Sequence, residues 1–237
     1  MPFIIRKNAQ IVKTAGDWQP IPIDEVRRYR KLFVQRHQDL LTGPTPMNLQ
    51  RDFLSLTIDF KFFNTLVQQA TIGHYLVAHF VCDPVDNGFE NINLAFCIKE
   101  KDTAGVKDRI VGKIYNSQGL IITEDAFCKA RGNYNGRLQQ ILKSSTQFAN
   151  DRKGRAHEIT EEMKTRVNEM GLVDDKVYIY FIVDDHLPGA DSISVLYSDS
   201  EINFETIEAL VEKGVVMSGL SIIFDAYDHG TACCPIG

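Results

Sequence analysis

Apolar residues of this chain occur in short, nearly continuous runs that end at turn-forming residues, which is the pattern of buried β-strands. Two pairs of such runs lie about 100 residues apart, and a loop with acidic residues and glycine joins the runs of each pair. These four predicted strands cover residues 75–82, 92–98, 177–183 and 193–197. A predicted helix precedes each pair, so the pattern suggests two duplicated halves, although two ordinary hairpins would also resemble each other to this extent.

The helix before the second pair has the clearest boundaries. Thr160 is a suitable N-cap, because its hydroxyl can accept a hydrogen bond from a backbone N–H of the first turn. Glu161 and Glu162 follow at positions where the helix dipole favours negative charge. Gly171 suits the left-handed position just beyond a helix C-terminus. The sequence therefore predicts a helix between Thr160 and Gly171.

The segment before the first pair, residues 53–72, fits two patterns. Alternate positions from Leu54 to Phe62 are apolar, as in a half-buried strand. The same segment carries an apolar stripe at helical spacing from Leu56 to Ala70. Periodicity does not separate the two, and the length of the segment favours a helix, which is our prediction.

Further elements fill the rest of the chain. Residues 1–22 form an arm whose prolines prevent a continuing helix, and a helix then runs from an N-cap at Asp24 to a stop at Gly43 and Pro44. The remaining predicted elements are strands at 109–115, 120–123 and 219–227, helices at 124–131, 137–149 and 204–213, a hairpin turn at 116–119 and a polar loop at 150–155.

Strands and helices interleaved in this way predict the α+β class, with a mainly antiparallel or mixed sheet built of β-hairpins and helices packed on it. Residues 42–46 form the clearest linker, which separates an N-terminal arm and helix, 1–46, from an α+β domain, 47–237. No long linker follows, so we expect the chain to unfold as one cooperative domain. With 237 residues, of which 44% are hydrophobic, the chain can bury a core without a disulfide or a metal ion.

Charge and cysteine usage narrow the expected partners and compartment. The formal net charge of -5 argues against nucleic acid and anionic membranes as partners, because both are bound by clustered positive charge. No window approaches the ~18 consecutive apolar residues of a membrane span, and the N-terminus lacks a secretory pattern. Cys82, Cys97 and Cys128 each lie among apolar residues, so we expect reduced, buried thiols and a cytoplasmic protein.

The C-terminal segment concentrates groups that are typical of metal and thiol chemistry. His229, Cys233 and Cys234 lie close to Asp225 and Asp228. A structural zinc site would need a second pair of ligands, which the sequence lacks. A catalytic thiol is the other candidate, with His229 lowering the pKa of Cys233 or Cys234. A mobile tail with incidental thiols accounts for the same residues.

Acidic residues also gather in the loops of the predicted hairpins. Asp184, Asp185 and His186 follow one predicted strand, where two carboxylates and an imidazole could bind a divalent metal. Their spacing matches no calcium-binding loop, and solvated loop residues are the alternative interpretation. Nothing in the sequence requires a cofactor. If the protein has one, we expect a divalent metal ion bound in this loop.

A segment with two glycines is the third candidate site. It contains Arg131, Asn133, Asn135 and Arg137 and leads into a predicted helix. The N–H groups at the start of a helix attract anions, and arginine adds positive charge, so the hypothesis is phosphate or carboxylate binding. A simple break between two helices is the alternative.

The functional hypothesis rests on the lack of any specific catalytic motif in the sequence. His74 and His79 are predicted on opposite faces of one strand, each as a hydrogen-bonded structural histidine. The sequence has no nucleotide-binding loop, nucleophile elbow or zinc-protease helix. We expect a binding or assembly module for an unknown small molecule or protein, with self-association as one form of assembly. The alternative is a thiol- or metal-dependent enzyme that uses His229, Cys233 and Cys234.

Overall fold

The computed structural model describes residues 19–20, 23–42, 55–83, 91–100, 109–134, 154–170, 174–184, 192–204, 226–228 and 231–232. The helices in these ranges are α1 Ile23–Thr42, α2 Phe60–Gln69, α3 Glu124–Asn133 and α4 Glu161–Asn168. The first strands are β1 Gln19–Pro20, β2 Ser55–Asp59, β3 Tyr75–Asp83, β4 Asn91–Glu100, β5 Arg109–Asn116 and β6 Ile121–Ile122. The later strands are β7 Gly154–Glu158, β8 Lys176–Asp184, β9 Ser192–Ser198, β10 Ala226–Asp228 and β11 Thr231–Ala232.

These strands form two sheets. One has five strands in the order β1-β10-β9-β8-β2, and the other has six in the order β11-β7-β3-β4-β5-β6. Every pairing among the described strands is antiparallel. The predicted α+β class with hairpin-built antiparallel sheets is therefore confirmed. None of the described helices has the length and apolar character needed to cross a membrane.

Side chains that alternate along the central strands give each sheet an inner and an outer face. Even-numbered apolar residues of β3 and β4 share one core with odd-numbered residues of β8 and β9. Phe63 and Val67 of α2 and Met163 and Val167 of α4 belong to the same core. The two sheets thus face each other, and α2 and α4 pack against their inner faces.

Each sheet carries a helix on its outer face. Val26 and Tyr29 of α1 pack against Tyr180 and Ile182, the outward-facing residues of β8. Phe127 of α3 packs against the outward-facing apolar residues of β3, β4 and β5. α1 and α3 therefore cover the outer faces of the two sheets, whereas α2 and α4 belong to the core between them.

The two halves of the chain exchange strands. β2 pairs with β8, ending with Asp59 opposite Lys176, and β7 pairs with β3, ending with Glu158 opposite Tyr75. The order strand, helix, hairpin thus occurs twice, as β2–α2–β3–β4 and as β7–α4–β8–β9. β2, the first strand of one half, joins the sheet of the other half, and β7 does the same in return. An origin of the halves by duplication remains a prediction.

Several local predictions are confirmed. The four predicted hairpin strands correspond to β3, β4, β8 and β9. The Thr160 hydroxyl accepts from the backbone N–H of Met163 at 3.0 Å, as expected of an N-cap. Asn116 closes the β5–β6 turn, since its side chain accepts from the N–H groups of Gln118 and Leu120.

Other local predictions are wrong. Residues 53–72 are not a single helix, because Ser55–Asp59 is drawn into a sheet by β8 before α2 begins. The polar loop predicted for 150–155 ends earlier, since Gly154 and Arg155 already belong to β7. α1 begins at Ile23, so Asp24 lies inside its first turn. The predicted helix at 137–149, most of that at 204–213, and Gly171 lie outside the described residues.

Cysteine placement is partly as expected. Cys82 and Cys97 are buried on the two faces of the six-stranded sheet, whereas Cys128 is exposed. The prediction of a buried Cys128 is therefore wrong. Phe127 occupies the buried face of α3, and the next residue of a helix is rotated by roughly 100° from it.

Candidate functional site

The described part of the C-terminal segment pairs with both sheets. β10 places Tyr227 opposite Tyr197 of β9, and β11 places Ala232 opposite Arg155 of β7. The chain therefore passes from one sheet to the other between residues 228 and 231. The described residues of this segment, 226–228 and 231–232, are thus paired in strands. His229, Cys233 and Cys234 themselves lie outside the described residues, so their chemistry remains a prediction.

Beneath this crossing, polar side chains are buried between the sheets. Arg155 and His157 of β7 are 1% and 2% exposed. The His157 ring meets the Tyr197 ring edge-on, with 5.4 Å between the ring centroids, and so joins the two sheets. Buried Arg and His in this position are costly unless they are paired, and both have interaction partners in the structure.

Of the three residues of the predicted metal site, only Asp184 is among the described residues. Asp184 ends β8, opposite Ser192 of β9, while Asp185 and His186 lie outside them. Within the described parts of the chain, no group of three or more His, Cys, Asp or Glu side chains is arranged to hold a metal ion. The metal hypothesis for this loop remains a prediction.

The predicted anion site has a different backbone from the one expected. Arg131 and Asn133 lie in the last turn of α3, so they do not form a loop that opens a helix. Asn133 donates from its side-chain amide to the Cys82 carbonyl at 3.4 Å. The Arg131 guanidinium carbon lies 5.4 Å from the centre of the Phe127 ring. Asn135 and Arg137 lie outside the described residues.

A cleft of about 550 Å³ opens between α2 and the β4–β5 part of the six-stranded sheet. Phe62, Leu66, Ile98 and Val111 give the cleft an apolar floor. This volume is within the usual range for small-molecule sites, which combine an apolar lining with a few polar groups.

Aromatic contacts fix the floor of the cleft. The Phe62 ring lies 5.2 Å from the Tyr115 ring and 6.4 Å from the Phe96 ring, measured between centroids. Gly119 lies so close to Phe62 that an added Cβ would come within 2.9 Å of the ring. Asp59 accepts from the Phe62 N–H at 2.7 Å and so caps α2 at this end. The Phe62 ring is thus held from several sides.

An irregularity in β5 brings a charged side chain to the cleft. Between the pairs Phe96–Tyr115 and Ile98–Val111, β4 has one residue and β5 has three. Gly112 in this bulge has φ 86°, a conformation that glycine adopts at little cost. Lys113 follows within the bulge and lines the cleft. Bulges commonly redirect side chains in this way.

The charged residues of the cleft are mainly cationic. Lys61 from α2 and Lys113 from β5 are exposed at its rim, and Asp59 supplies the carboxylate. Since the Asp59 side chain also caps α2, one of its oxygens is already engaged. His74 adds a half-buried imidazole to the lining. The cleft therefore combines an apolar floor with a rim that favours an anion.

A second polar feature lies on the outer face of the same sheet. His79 is 1% exposed, and neither of its ring nitrogens has a hydrogen-bond partner among the described residues. The prediction that His79 is a hydrogen-bonded structural histidine is therefore wrong. Burial, followed by the positive charges of Lys99 and Arg131, holds the pKa of His79 well below its ordinary value of 6.5. The imidazole is neutral at physiological pH.

Other groups with perturbed pKa values have structural explanations. Burial lowers the pKa of Arg30 to about 10, and its guanidinium donates to the Phe181 carbonyl at 2.8 Å. This bond ties α1 to β8 just beyond the last residue that β2 pairs. The hydrogen bond from Tyr178 to Asp174, at 2.5 Å, raises the pKa of Tyr178 to about 12. Neither group lines the cleft.

Neither the cleft nor the His79 cluster, which comprises His79, Lys99 and Arg131, was predicted from the sequence. Phe62 fits the alternating strand pattern that begins at Leu54, and Lys113 lies inside the predicted strand at 109–115. Gly112 beside Lys113 was the one local signal, because an isolated glycine in a strand often marks a bulge. Comparison with protein-family models, with curated proteins and with solved structures finds no significant match to the chain.

Proposed function

We propose that the protein is a binding module whose cleft between α2 and β4–β5 takes a small organic anion with an apolar body. The observation that carries this proposal is that aromatic and aliphatic side chains line the cleft together with Lys61 of α2 and Lys113 of β5. Phe62 and Leu66 would contact the body of the ligand. Lys61 and Lys113 would pair with its charged group. This proposal makes the expected binding module specific for one class of ligand.

The energetic division between floor and rim is unequal. Burying apolar ligand surface contributes roughly 25 cal/mol per Å². Each exposed lysine adds only about 0–1 kcal/mol, because water and salt screen its charge. The floor therefore supplies most of the affinity, and the rim selects anions over neutral analogues.

A matched pair of probes separates these two contributions. Titration calorimetry with naphthalene-2-carboxylate and with its neutral amide would compare ligands of nearly equal shape. We expect the carboxylate to bind several-fold more tightly at low salt, and Lys113→Gln to reduce that preference. Thr65→Trp should abolish binding of both probes, because Thr65 is exposed and lines the cleft.

The control variant is Lys176→Gln. Lys176 lies at the start of β8, outside the cleft, and is half-exposed beside Asp174. It should leave both affinities unchanged. Equal binding of the amide and the carboxylate would contradict the role of the rim. Unchanged binding by the Thr65→Trp variant would contradict the cleft as the site.

Self-association, the assembly form of the same hypothesis, has a more limited structural basis. Leu120 and Ile121 are 60% and 58% exposed and are neighbours at the β5–β6 hairpin. β6 is the last strand of its sheet among the described residues. Sedimentation of the wild-type chain and of an Ile121→Lys variant, over a range of concentrations, would test whether this edge joins two copies.

A further inference from the structure

His79 occupies a position where a buried imidazole has no internal explanation. It lies on the outer face of β3, between Ala95 of β4 and Gly154 of β7. These are the two smallest neighbours that the sheet could offer, so the flanks of the ring are not filled by long side chains. A buried nitrogen without a hydrogen bond costs about 1–3 kcal/mol. Most buried polar groups in folded proteins have a partner, and none of the described residues supplies one for the His79 ring nitrogens.

The charges around His79 are cationic. Lys99 lies on the same outer face, since it pairs with Tyr75 and Ile110, and it is 1% exposed. Arg131 approaches from α3. Phe127 connects Arg131 to the imidazole, because its ring lies 5.0 Å from the His79 ring, between centroids, and also carries the Arg131 guanidinium. The charged groups that act on His79 are Lys99 and Arg131, and both are positive.

We propose that His79, Lys99 and Arg131 form a binding site for a small oxyanion of the size of phosphate or sulfate. An oxyanion would accept a hydrogen bond from the imidazole N–H and from the Arg131 guanidinium. Arg131 is partly exposed and provides the side from which the anion enters. The near-complete burial of His79 and Lys99 restricts the ligand to a compact anion.

This site differs from the cleft in place and in chemistry. The cleft faces inward between α2 and the sheet, whereas His79 lies under α3 on the opposite face of that sheet. Of the residues in the anion site predicted from sequence, this proposal uses Arg131 alone, which takes part through its guanidinium from the last turn of α3.

Sulfate is the best first probe, because it keeps two negative charges across the relevant pH range. A bound dianion favours the imidazolium form of His79, so binding should become tighter as the pH falls from 8 to 5.5. Titration calorimetry at these two pH values, in buffers without other oxyanions, would measure this change. We expect one equivalent of sulfate to bind, several-fold more tightly at the lower pH.

Variants assign the binding to Arg131 and His79. Arg131→Gln should weaken sulfate binding by about tenfold or more, equivalent to at least ~1.4 kcal/mol. His79→Gln should remove the pH dependence. The control is Arg166→Gln, since Arg166 is a half-buried arginine of α4 that pairs with Glu162 at 2.7 Å. The partly exposed position of Arg131 allows folding of its variant, which circular dichroism would verify.

Further arms distinguish the sources of the oxyanion. Inorganic phosphate and phenyl phosphate carry the same phosphoryl chemistry, and acetate tests a carboxylate. Binding of phosphate but not phenyl phosphate would identify a free inorganic anion as the ligand. Binding of both would identify a phosphomonoester as an acceptable ligand of the same site. The proposal is overturned if the wild type shows no saturable binding of sulfate or phosphate, or if Arg131→Gln leaves their affinity unchanged.

Discussion

Replacement of His79 by leucine should make the protein more stable and less sensitive to acid. The imidazole is neutral in the folded state, because burial and the charges of Lys99 and Arg131 depress its pKa. In the unfolded chain a histidine has a pKa of about 6.5. As the pH falls below 6.5, His79 becomes protonated in the unfolded chain but stays neutral in the folded protein. The free energy of unfolding therefore decreases by up to about 1.4 kcal/mol per pH unit, until the pH reaches the folded-state pKa of His79.

The size of the difference follows from this titration. Between pH 7.5 and 5.5 the His79 contribution to stability should fall by about 1 kcal/mol. The His79→Leu variant lacks this contribution, so its stability should fall by that much less over the same range. At pH 8 the variant should also be more stable by about 1 kcal/mol, because leucine buries no polar nitrogen that lacks a hydrogen bond.

Urea unfolding followed by circular dichroism, at several pH values and without oxyanions, would measure both effects. His74→Leu is the control, since His74 is a half-buried histidine five residues away in the sequence. Only the differences between each variant and the wild type are interpreted, because all other residues are the same. Equal loss of stability by the wild type and the His79→Leu variant between pH 7.5 and 5.5 would refute the neutral, buried imidazole.

Four further predictions concern the fold. Gly154→Ala should destabilise the protein by roughly 1–3 kcal/mol in urea unfolding, because the new Cβ would lie 2.6 Å from the Ala78 carbonyl oxygen. Its control is Gly132→Ala in α3, where a new Cβ would have nothing within 4 Å, so this variant should stabilise the protein by about 0.5–1 kcal/mol. Lys164→Met should cost about 1–3 kcal/mol, since its ammonium donates to the Gln68 and Ala70 carbonyls at 2.9 and 2.6 Å; a loss no larger than that of the exposed-site control Lys129→Met would exclude this role. Native thiol labelling should modify Cys128 rapidly and Cys82 and Cys97 only on unfolding, and early labelling of Cys82 or Cys97 would contradict their burial. Thermal unfolding should show one transition, because β2 and β7 each complete the sheet of the other half, and two separate transitions would show that the halves fold independently.

Local patterns were sufficient where a segment depends on its own residues. The four long strands were predictable because their apolar runs are buried on both faces, and such runs read the same way wherever the strand is placed. Thr160 was predictable as an N-cap because its hydroxyl bonds three residues ahead, within one turn of helix. The β5–β6 turn likewise depends on Asn116 and the residues just after it.

Predictions failed where a distant partner decided the outcome. Ser55–Asp59 became a strand because β8 offered an unpaired edge, which outweighed the helical stripe that continues into α2. β7 was not predicted, because Gly154 to Glu158 are not an apolar run, and its first two residues were included in the predicted polar loop at 150–155. Its pairing with β3 and the burial of Arg155 and His157 come from the other half of the chain.

By itself, the sequence determined the elements of this protein that rest on local hydrogen bonds and on apolar periodicity: the hairpin strands, α4 with its cap, and the α+β class. The tertiary structure decided which strands pair, and with that where the cleft and the His79 cluster lie. Phe62 and Lys113 meet across a bulge in β5, and His79 meets Arg131 through a helix that crosses β3. These contacts join residues about 50 positions apart in the sequence. Side-chain periodicity shows which residues of an element share a face, but it does not show which other element packs against that face, so no local pattern predicts these contacts.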